Sequence, residues 1–325
     1  MILLASNENP LGMPESARRA AAAALEGAGN YPDSNGTALK QALAARLDVP
    51  PEWLTLGSGS SEILELAAQV SLKPGENVVY SQYGFIVYAA ATAHAHARAT
   101  VVPSRDFGHD LDAMRAAIGD DTKLVFVANP NNPTGTFIDA APLRDFLQSV
   151  PAHVTVLLDE AYTEYLSPAQ RYDSMEWVRR LPNLIVARTF SKAFGLAGMR
   201  IGYGVSQPPL TSRMNAQRPR FNVTTPAQAA AVAALGDTEF LARTYELNSA
   251  GREQLAAGFT ELGLTCIPSS GNFLMVQVGD AQAVHARLLA AGIEVSLLGP
   301  YGLPQWLRVS VGLPEQNKAV LAALR

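Results

Sequence analysis

The chain has 325 residues, of which 48% are hydrophobic and 17% are charged. This composition is typical of a globular protein, and the length corresponds to about two domains at roughly 100–200 residues each. The net charge is −4 and no basic cluster stands out, which disfavours nucleic-acid or membrane binding through a basic patch. The single cysteine excludes an intramolecular disulfide and a thiolate-based metal site, and we expect no metal. The first five residues are too short for the apolar region of a signal peptide, so we expect a cytoplasmic protein.

The first part of the chain predicts two helices, at residues 14–28 and 37–47, separated by a turn-rich segment. From about residue 54, short apolar runs alternate with helical stretches. Continuous runs rich in Val, Ile and Leu indicate parallel strands that are buried on both faces. We therefore predict an α/β fold with a mostly parallel, doubly wound sheet. The apolar runs lie at 78–81, 100–103, 123–128, 154–158, 184–187 and 201–205.

The pattern changes after residue 225, where long helical stretches at 228–235 and 239–262 are followed by short apolar runs and two further helices. This order of elements predicts a smaller α+β unit. We assign residues 30–240 to the large α/β domain. Residues 1–29 and 241–325 are assigned to the small domain.

Four polar clusters either follow an apolar run or stand at the start of a predicted helix. They lie at 57–61, 129–135, 159–162 and 189–200. In an open α/β sheet, ligands bind outside the carboxyl ends of the strands. The four clusters are therefore expected to meet in one site.

Each cluster can be explained either by a role in local structure or by a role in binding a ligand. The glycines and serines at 57–61 can bind a phosphate at a helix N-terminus, or form a plain turn with Ser61 as the helix cap. Asp159 is either a partner for a cation or part of a structural salt bridge. Lys192 is either a nucleophilic amine or a surface lysine whose stem packs on Phe194. A phosphate loop, an Asn, an Asp and a Lys/Arg pair together are what pyridoxal 5′-phosphate requires.

On these motifs the chain resembles the histidinol-phosphate aminotransferase family of fold-type I enzymes, from the segment 6–12 to the segment 307–312. The resemblance implies pyridoxal 5′-phosphate, a homodimer and small-molecule substrates. Lys192 matches the lysine that binds the cofactor's aldehyde, Asp159 the partner of the ring nitrogen, and Tyr162 and Asn132 the ligands of the ring oxygen. Lys192, Asp159 and Tyr162 are the predicted catalytic residues. The other predicted cofactor-binding residues are Tyr83 on the ring, Gly59, Ser60, Ser61, Thr189, Ser191 and Arg200 at the phosphate, and Tyr31 from the second subunit.

The resemblance also implies a substrate-binding set, in which Arg308 grips an anionic group of the substrate. The remaining members are Asn7, Gly12, Arg218, Arg220 and Asn222. Two departures from the family pattern concern the far end of the substrate. The N-terminal arm before residue 7 is short, and Ser296 stands where relatives often carry an arginine.

The leading interpretation is a pyridoxal-phosphate aminotransferase that acts on an amino acid or L-histidinol phosphate and a 2-oxo acid, such as 2-oxoglutarate. Because the segment 295–298 holds no cation, the departures slightly favour an aromatic amino acid as the main donor. A decarboxylase of the threonine-phosphate type is a second reading built on the same motifs. A ligand-sensing domain of a transcriptional regulator is a third, and it would need a DNA-binding domain that we do not expect here.

Overall fold

The computed structural model describes residues 1–325 and contains two β-sheets flanked by twelve α-helices. The strands are β1 (Ile2–Leu4), β2 (Leu54–Gly57), β3 (Asn77–Ser81), β4 (Arg98–Val102), β5 (Thr122–Ala128), β6 (Thr155–Asp159), β7 (Leu184–Thr189), β8 (Gly202–Val205), β9 (Cys266–Ile267), β10 (Phe273–Gln277), β11 (Ile293–Leu297) and β12 (Trp306–Ser310). The helices are α1 (Glu15–Ala24), α2 (Thr37–Leu47), α3 (Ser60–Ser71), α4 (Val87–His94), α5 (Leu111–Ala116), α6 (Ala140–Ser149), α7 (Ser174–Arg180), α8 (Pro208–Gln217), α9 (Thr225–Gly236), α10 (Thr238–Glu261), α11 (Ala281–Ala290) and α12 (Pro314–Leu324).

The larger sheet has seven strands in the order β2-β8-β7-β6-β5-β3-β4. Only β8 runs antiparallel to its neighbours, so the sheet is mostly parallel. All six apolar runs predicted between residues 78 and 205 lie in strands of this sheet, and the predicted α/β fold class is confirmed. The carboxyl ends of β3, β5, β6 and β7 therefore open on the same edge of the sheet.

The central strands are apolar throughout because both of their faces are covered. In β5, Val125 and Val127 pack into the core on one side of the sheet, whereas Leu124 and Phe126 pack into the core on the other side. Alternate residues of a strand point to opposite faces, so a strand with helices on both sides must be hydrophobic at every position. This packing fixes the register of β5, and with it the position of the residues that follow Ala128.

The smaller sheet has five strands in the order β1-β11-β12-β10-β9. Its core is separate from those of the larger sheet and includes Leu255 and Phe259 of α10. The first strand, β1, joins this sheet by pairing in parallel with β11, with Ile2 opposite Ile293. No helix of the structure is both long enough and apolar enough to span a membrane.

Four elements were not predicted from the sequence, namely β1, β2, α7 and α8. The predicted division into residues 30–240 and the two flanking segments stays a prediction. The helix α1 lies in the segment assigned to the small domain, but its Ala17 and Ala21 are buried in the larger sheet's first core, where α1 packs on α9.

Candidate active site

A cavity of about 210 Å³ opens at the carboxyl ends of β5, β6 and β7. Its walls come from both sheets and from the segment between β1 and α1. Eleven of the residues predicted from the sequence line it: Asn7, Ser60, Ser61, Asn132, Asp159, Tyr162, Thr189, Ser191, Lys192, Arg200 and Arg308.

One end of the cavity is formed by the N-terminus of α3 and by Arg200. Gly59 has a φ of +83°, a backbone conformation that favours glycine, and a Cβ there would meet the Arg200 guanidinium. Arg200 donates from Nη1 to Ser191 Oγ at 3.2 Å. The start of a 12-residue helix carries the positive end of its dipole, and hydroxyls and a guanidinium surround it. This end of the cavity can therefore hold a phosphate.

Asp159 ends β6 and is 5% exposed. The Ala161 backbone N–H donates to Oδ1 at 3.2 Å, and the Tyr88 hydroxyl donates to Oδ2 at 3.1 Å. Burial raises the pKa of Asp159 to about 6, although the hydrogen bond from Tyr88 acts in the opposite direction. A positive charge placed beside this carboxylate would favour its ionised form.

Lys192 lies in the loop after β7, and its Nζ donates to the backbone carbonyl of Ser6 at 2.8 Å. Burial, together with the positive charge of the nearby Arg308, lowers the pKa of Lys192 to about 8. A fraction of this amine is neutral at neutral pH, which is the condition for a nucleophile and for a group that both accepts and donates protons.

Tyr162 has its hydroxyl in the cavity, where it accepts a hydrogen bond from Asn7 Nδ2 at 3.0 Å. Burial raises the pKa of Tyr162 to about 12, so the phenol stays protonated and can donate to a ligand oxygen. Asn7 is 1% exposed and has a φ of +56°. Its backbone and side chain bond to Ser310 and Asn272 of the smaller unit. Asn7 therefore links the cavity to the small sheet.

Arg308 projects from β12 into the other end of the cavity. It donates to Asn132 Oδ1 at 2.5 Å and to the carbonyl of Ala5 at 2.6 Å, while its buried Nε has no partner. It forms no salt bridge, and burial lowers the pKa of Arg308. Across the antiparallel pair of β11 and β12, Arg308 lies opposite Ser296.

The charges that line the cavity do not balance. Lys192, Arg200 and Arg308 carry positive charge, and Asp159 is the only carboxylate. Lys192 and Arg308 are largely removed from solvent, and buried cations are normally paired, so this excess indicates a site for anionic ligands. Because Arg200 and Arg308 come from opposite ends, the site has room for two anionic groups.

Several predicted residues do not line the cavity in this single chain. Gly59 lies next to it, against Arg200. The Tyr83 ring packs on Phe107 with 5.9 Å between centroids, and Phe85 is the aromatic residue in the wall. Gly12 contacts Gly195 through its carbonyl. Tyr31 is 82% exposed on the outer surface.

Three residues predicted to bind substrate lie elsewhere. Arg218 donates to Asn222 Oδ1 and to the carbonyl of Ser34, both at 2.5 Å. Asn222 donates to Glu62 Oε2 at 2.6 Å, behind the phosphate end. Arg220 is exposed. The substrate roles of these three residues stay predictions.

The sequence-based reasoning missed Tyr88, Phe85 and Ser6. Phe85 and Tyr88 fall in one of the helical stretches predicted between the apolar runs, where an aromatic residue on the inner face is typical of an ordinary core. Ser6 contributes a backbone carbonyl, which leaves no trace in the amino-acid pattern. Only the proximity of Phe85 and Tyr88 to Tyr83 could have drawn attention to them.

Comparison with known proteins agrees with this geometry. The model of the family "Aminotransferase class I and II" matches residues 1–324. Histidinol-phosphate aminotransferase 1 of Cupriavidus pinatubonensis is 61% identical over 328 residues, covering 100% of this chain and 87% of that protein. Histidinol-phosphate aminotransferase 2 of Ralstonia nicotianae is 59% identical, with 100% and 88% coverage.

Among solved structures, histidinol-phosphate aminotransferase from Sinorhizobium meliloti in complex with pyridoxal-5′-phosphate superposes with a TM-score of 0.94 at 31% identity. The match covers 99% of this chain and 89% of that one. Aspartate aminotransferase from Thermus thermophilus with maleate has a TM-score of 0.87 at 25% identity, with 99% and 90% coverage. The chain therefore belongs to the class I and II aminotransferase family, and within it to the histidinol-phosphate aminotransferases.

Proposed function

We propose that this aminotransferase binds pyridoxal 5′-phosphate and transfers the amino group of L-histidinol phosphate to a 2-oxo acid such as 2-oxoglutarate. The observation that carries the proposal is the charge excess in the cavity, above all Arg308, which is buried against neutral acceptors only. L-Histidinol phosphate offers an amine and a phosphate, and the cofactor brings a second phosphate.

The residues present fit the cofactor. The Gly59 cradle, which a Cβ would fill, leaves room for the cofactor phosphate beside Arg200, and Asp159 is a buried carboxylate without a cationic partner for the ring nitrogen. We assign the cofactor phosphate to the end formed by Ser60, Ser61, Thr189, Ser191 and Arg200. When bound, the cofactor supplies an aldehyde that exchanges with amines and an electron-withdrawing ring that acidifies the Cα proton of the bound amine.

The remaining cavity residues are assigned to the ring and the aldehyde of the cofactor. Asp159 would hold the positive ring nitrogen, because its carboxylate is buried and forms no salt bridge with a cation of the chain. Tyr162 and Asn132 donate to the ring oxygen, since the phenol is protonated and the Oδ1 of Asn132 already accepts from Arg308. We assign the covalent bond with the cofactor to Lys192. Phe85 lines the wall, and Tyr83 stays a predicted contact of the ring.

Lys192 moves the proton in this assignment. Its pKa of about 8 lies close to neutral pH, so Nζ would accept the Cα proton of the substrate and deliver it to the cofactor carbon that carried the aldehyde. No other amine lines the cavity. In the second half of the reaction the 2-oxo acid would receive the amino group, and its carboxylate would take the place of the substrate phosphate at Arg308.

A comparison of donors tests the substrate. The full-length protein with bound cofactor is mixed with L-histidinol phosphate, L-histidinol or L-phenylalanine, and the change in cofactor absorbance gives the rate of the first half-reaction. A charge-assisted hydrogen bond contributes about 1.5–3 kcal/mol, so the phosphate should favour L-histidinol phosphate over L-histidinol by about 10- to 150-fold. Arg308→Gln should abolish that preference.

Arg220→Gln is the matched control, because Arg220 is an exposed arginine that the sequence also suggested for phosphate binding. The preference should survive in this variant. If it disappears in Arg220→Gln and persists in Arg308→Gln, the phosphate binds elsewhere and the assignment to Arg308 is wrong. Equal rates with L-histidinol phosphate and L-phenylalanine would reject the proposed substrate.

The comparisons do not favour the two enzymatic alternatives. The relatives at 47–61% identity are all named histidinol-phosphate aminotransferases, so neither an aromatic donor nor a decarboxylase reaction gains support from them. The slight preference for an aromatic donor rested on Ser296. Arg308 lies directly opposite that position and supplies a cation there.

We also propose that two chains form a homodimer with shared active sites. The Tyr31 ring stacks on Phe221 at 4.6 Å between centroids, and both rings are exposed, at 82% and 39%. An exposed aromatic pair is typical of an interface. Arg200, at the phosphate end, is exposed as well and is the side chain that Tyr31 of a second copy would approach. Light scattering should give twice the mass of 34.6 kDa.

A further inference from the structure

Tyr88 makes the only side-chain hydrogen bond to Asp159. Its hydroxyl donates to Oδ2 at 3.1 Å, and the whole residue is buried. Tyr88 lies on α4 and does not line the cavity. A buried tyrosine hydroxyl normally needs a partner, and here the partner is the carboxylate assigned to the cofactor's ring nitrogen.

Close packing fixes the Tyr88 ring. It stacks on Phe126 with 4.5 Å between centroids and 3° between planes, and Phe85 meets it edge-on at 6.1 Å. A Cβ at position 84 would lie 3.0 Å from the ring, so Gly84 leaves the space that the ring occupies. Phe126 belongs to β5, which pairs with β6, the strand that carries Asp159. The donor and the acceptor are thus held on adjacent, rigid elements.

We propose that Tyr88 is a positioning residue for Asp159: its hydroxyl holds the carboxylate in one orientation and favours its ionised form, so that the cofactor's ring nitrogen meets a fixed negative charge. A hydrogen bond donated to a carboxylate stabilises the charged state. The inference rests on the proposed function, which assigns the cofactor to this cavity. The charged and titratable groups that face the pair are Glu160 and Lys192 around Asp159, and Tyr162 and Tyr301 around Tyr88.

The first test follows the Asp159 carboxyl by ¹³C NMR in the full-length protein, with and without cofactor, over a range of pH. The signal is assigned by its loss in Asp159→Asn. In the cofactor-free protein, Tyr88→Phe should raise the titration midpoint by about 1 pH unit, because the donor is lost while the ring packing is kept. Incorporation of 3-fluorotyrosine at position 88 makes the phenol a stronger donor and should lower the midpoint.

Tyr80→Phe is the matched control. Tyr80 is 9% exposed, and its ring lies 6.2 Å from that of Tyr88 at an angle of 60°, but its hydroxyl does not bond to Asp159. The Tyr80→Phe substitution also removes a phenolic hydroxyl from this cluster of aromatic rings. It should leave the titration midpoint of Asp159 unchanged. An unchanged midpoint in Tyr88→Phe, or an equal rise in Tyr80→Phe, would overturn the proposal.

The second test measures the dissociation constant of pyridoxal 5′-phosphate at neutral pH. Tyr88→Phe should weaken binding about tenfold, equivalent to about 1.4 kcal/mol. In the Asp159→Asn background the same substitution should change the constant less than about twofold, since the coupling runs through the carboxylate. An equal tenfold loss in both backgrounds would show a general packing effect and refute the coupling. If the cofactor is found on a lysine other than Lys192, the proposed function fails, whereas the titration in the cofactor-free protein still decides the role of Tyr88.

Discussion

Replacing Asp159 by Asn tests whether the buried carboxylate, without a cationic ligand, destabilises the fold when it is ionised. Burial raises the pKa of Asp159 from 3.8 to about 6 in the folded chain without a ligand. The folded protein then binds this proton more tightly than the unfolded chain does. The free energy of unfolding therefore falls as the pH rises from about 4 to about 6, and the loss stays constant above that range.

The size of this loss follows from the two pKa values. At about 1.4 kcal/mol for each tenfold change in proton affinity, the ionised carboxylate destabilises the cofactor-free fold by about 3 kcal/mol above pH 7. Asn cannot ionise and keeps the shape of the neutral acid. The stability of Asp159→Asn relative to the original protein should therefore increase by about 3 kcal/mol between about pH 4 and about pH 8.

Urea unfolding of the cofactor-free proteins, followed by the fluorescence of the three tryptophans, measures this difference. The comparison between two pH values cancels any effect of the substitution that does not depend on pH. Asp112→Asn is the control, because the side chain of Asp112 is 78% exposed and stays in contact with solvent in the folded protein. With cofactor bound, the stability of Asp159→Asn relative to the original protein should instead decrease as the pH rises, since the ring nitrogen supplies the missing positive charge. A relative stability that is the same at both pH values would refute the reasoning.

Three further predictions use other parts of the structure. In Lys192→Ala, borohydride reduction should attach no cofactor, whereas in the original protein peptide mapping should find it on Lys192 alone; a second labelled lysine would contradict the assignment. Arg188→Met leaves Glu160 buried at 0% exposure without its partner and should lower the free energy of unfolding by about 3–5 kcal/mol, against less than about 1 kcal/mol for Arg98→Ala in an exposed ion pair. Tyr31→Phe should weaken cofactor binding without changing the fold, and full affinity in this variant would contradict the shared site.

The sequence predicted the larger sheet well because burial on both faces forces its strands to be apolar throughout. The strand β1 was missed because its only partner, β11, lies at the opposite end of the chain, and β2 was missed because it runs directly into the glycine-rich segment 57–61. Lys192, Asp159 and Asn132 could be placed together because each follows a strand of one parallel sheet. Arg218 could not be placed, because one of its two acceptors, the carbonyl of Ser34, lies far away in the sequence and only the fold brings it near.

The pairing of β1 with β11 has a consequence for the order in which this protein is assembled. Ser6 and Asn7 reach the cavity only when β1 is seated beside residues 293–295, and Asn7 also bonds to Ser310. During synthesis at about 5–20 residues per second, the start of the chain must wait about 15–60 s for these partners. The larger sheet has all its strands well before that time. Capture of the cofactor is thus a late event, in which Ser6 and Asn7, made early, complete the site only after the strands of the smaller sheet have been made.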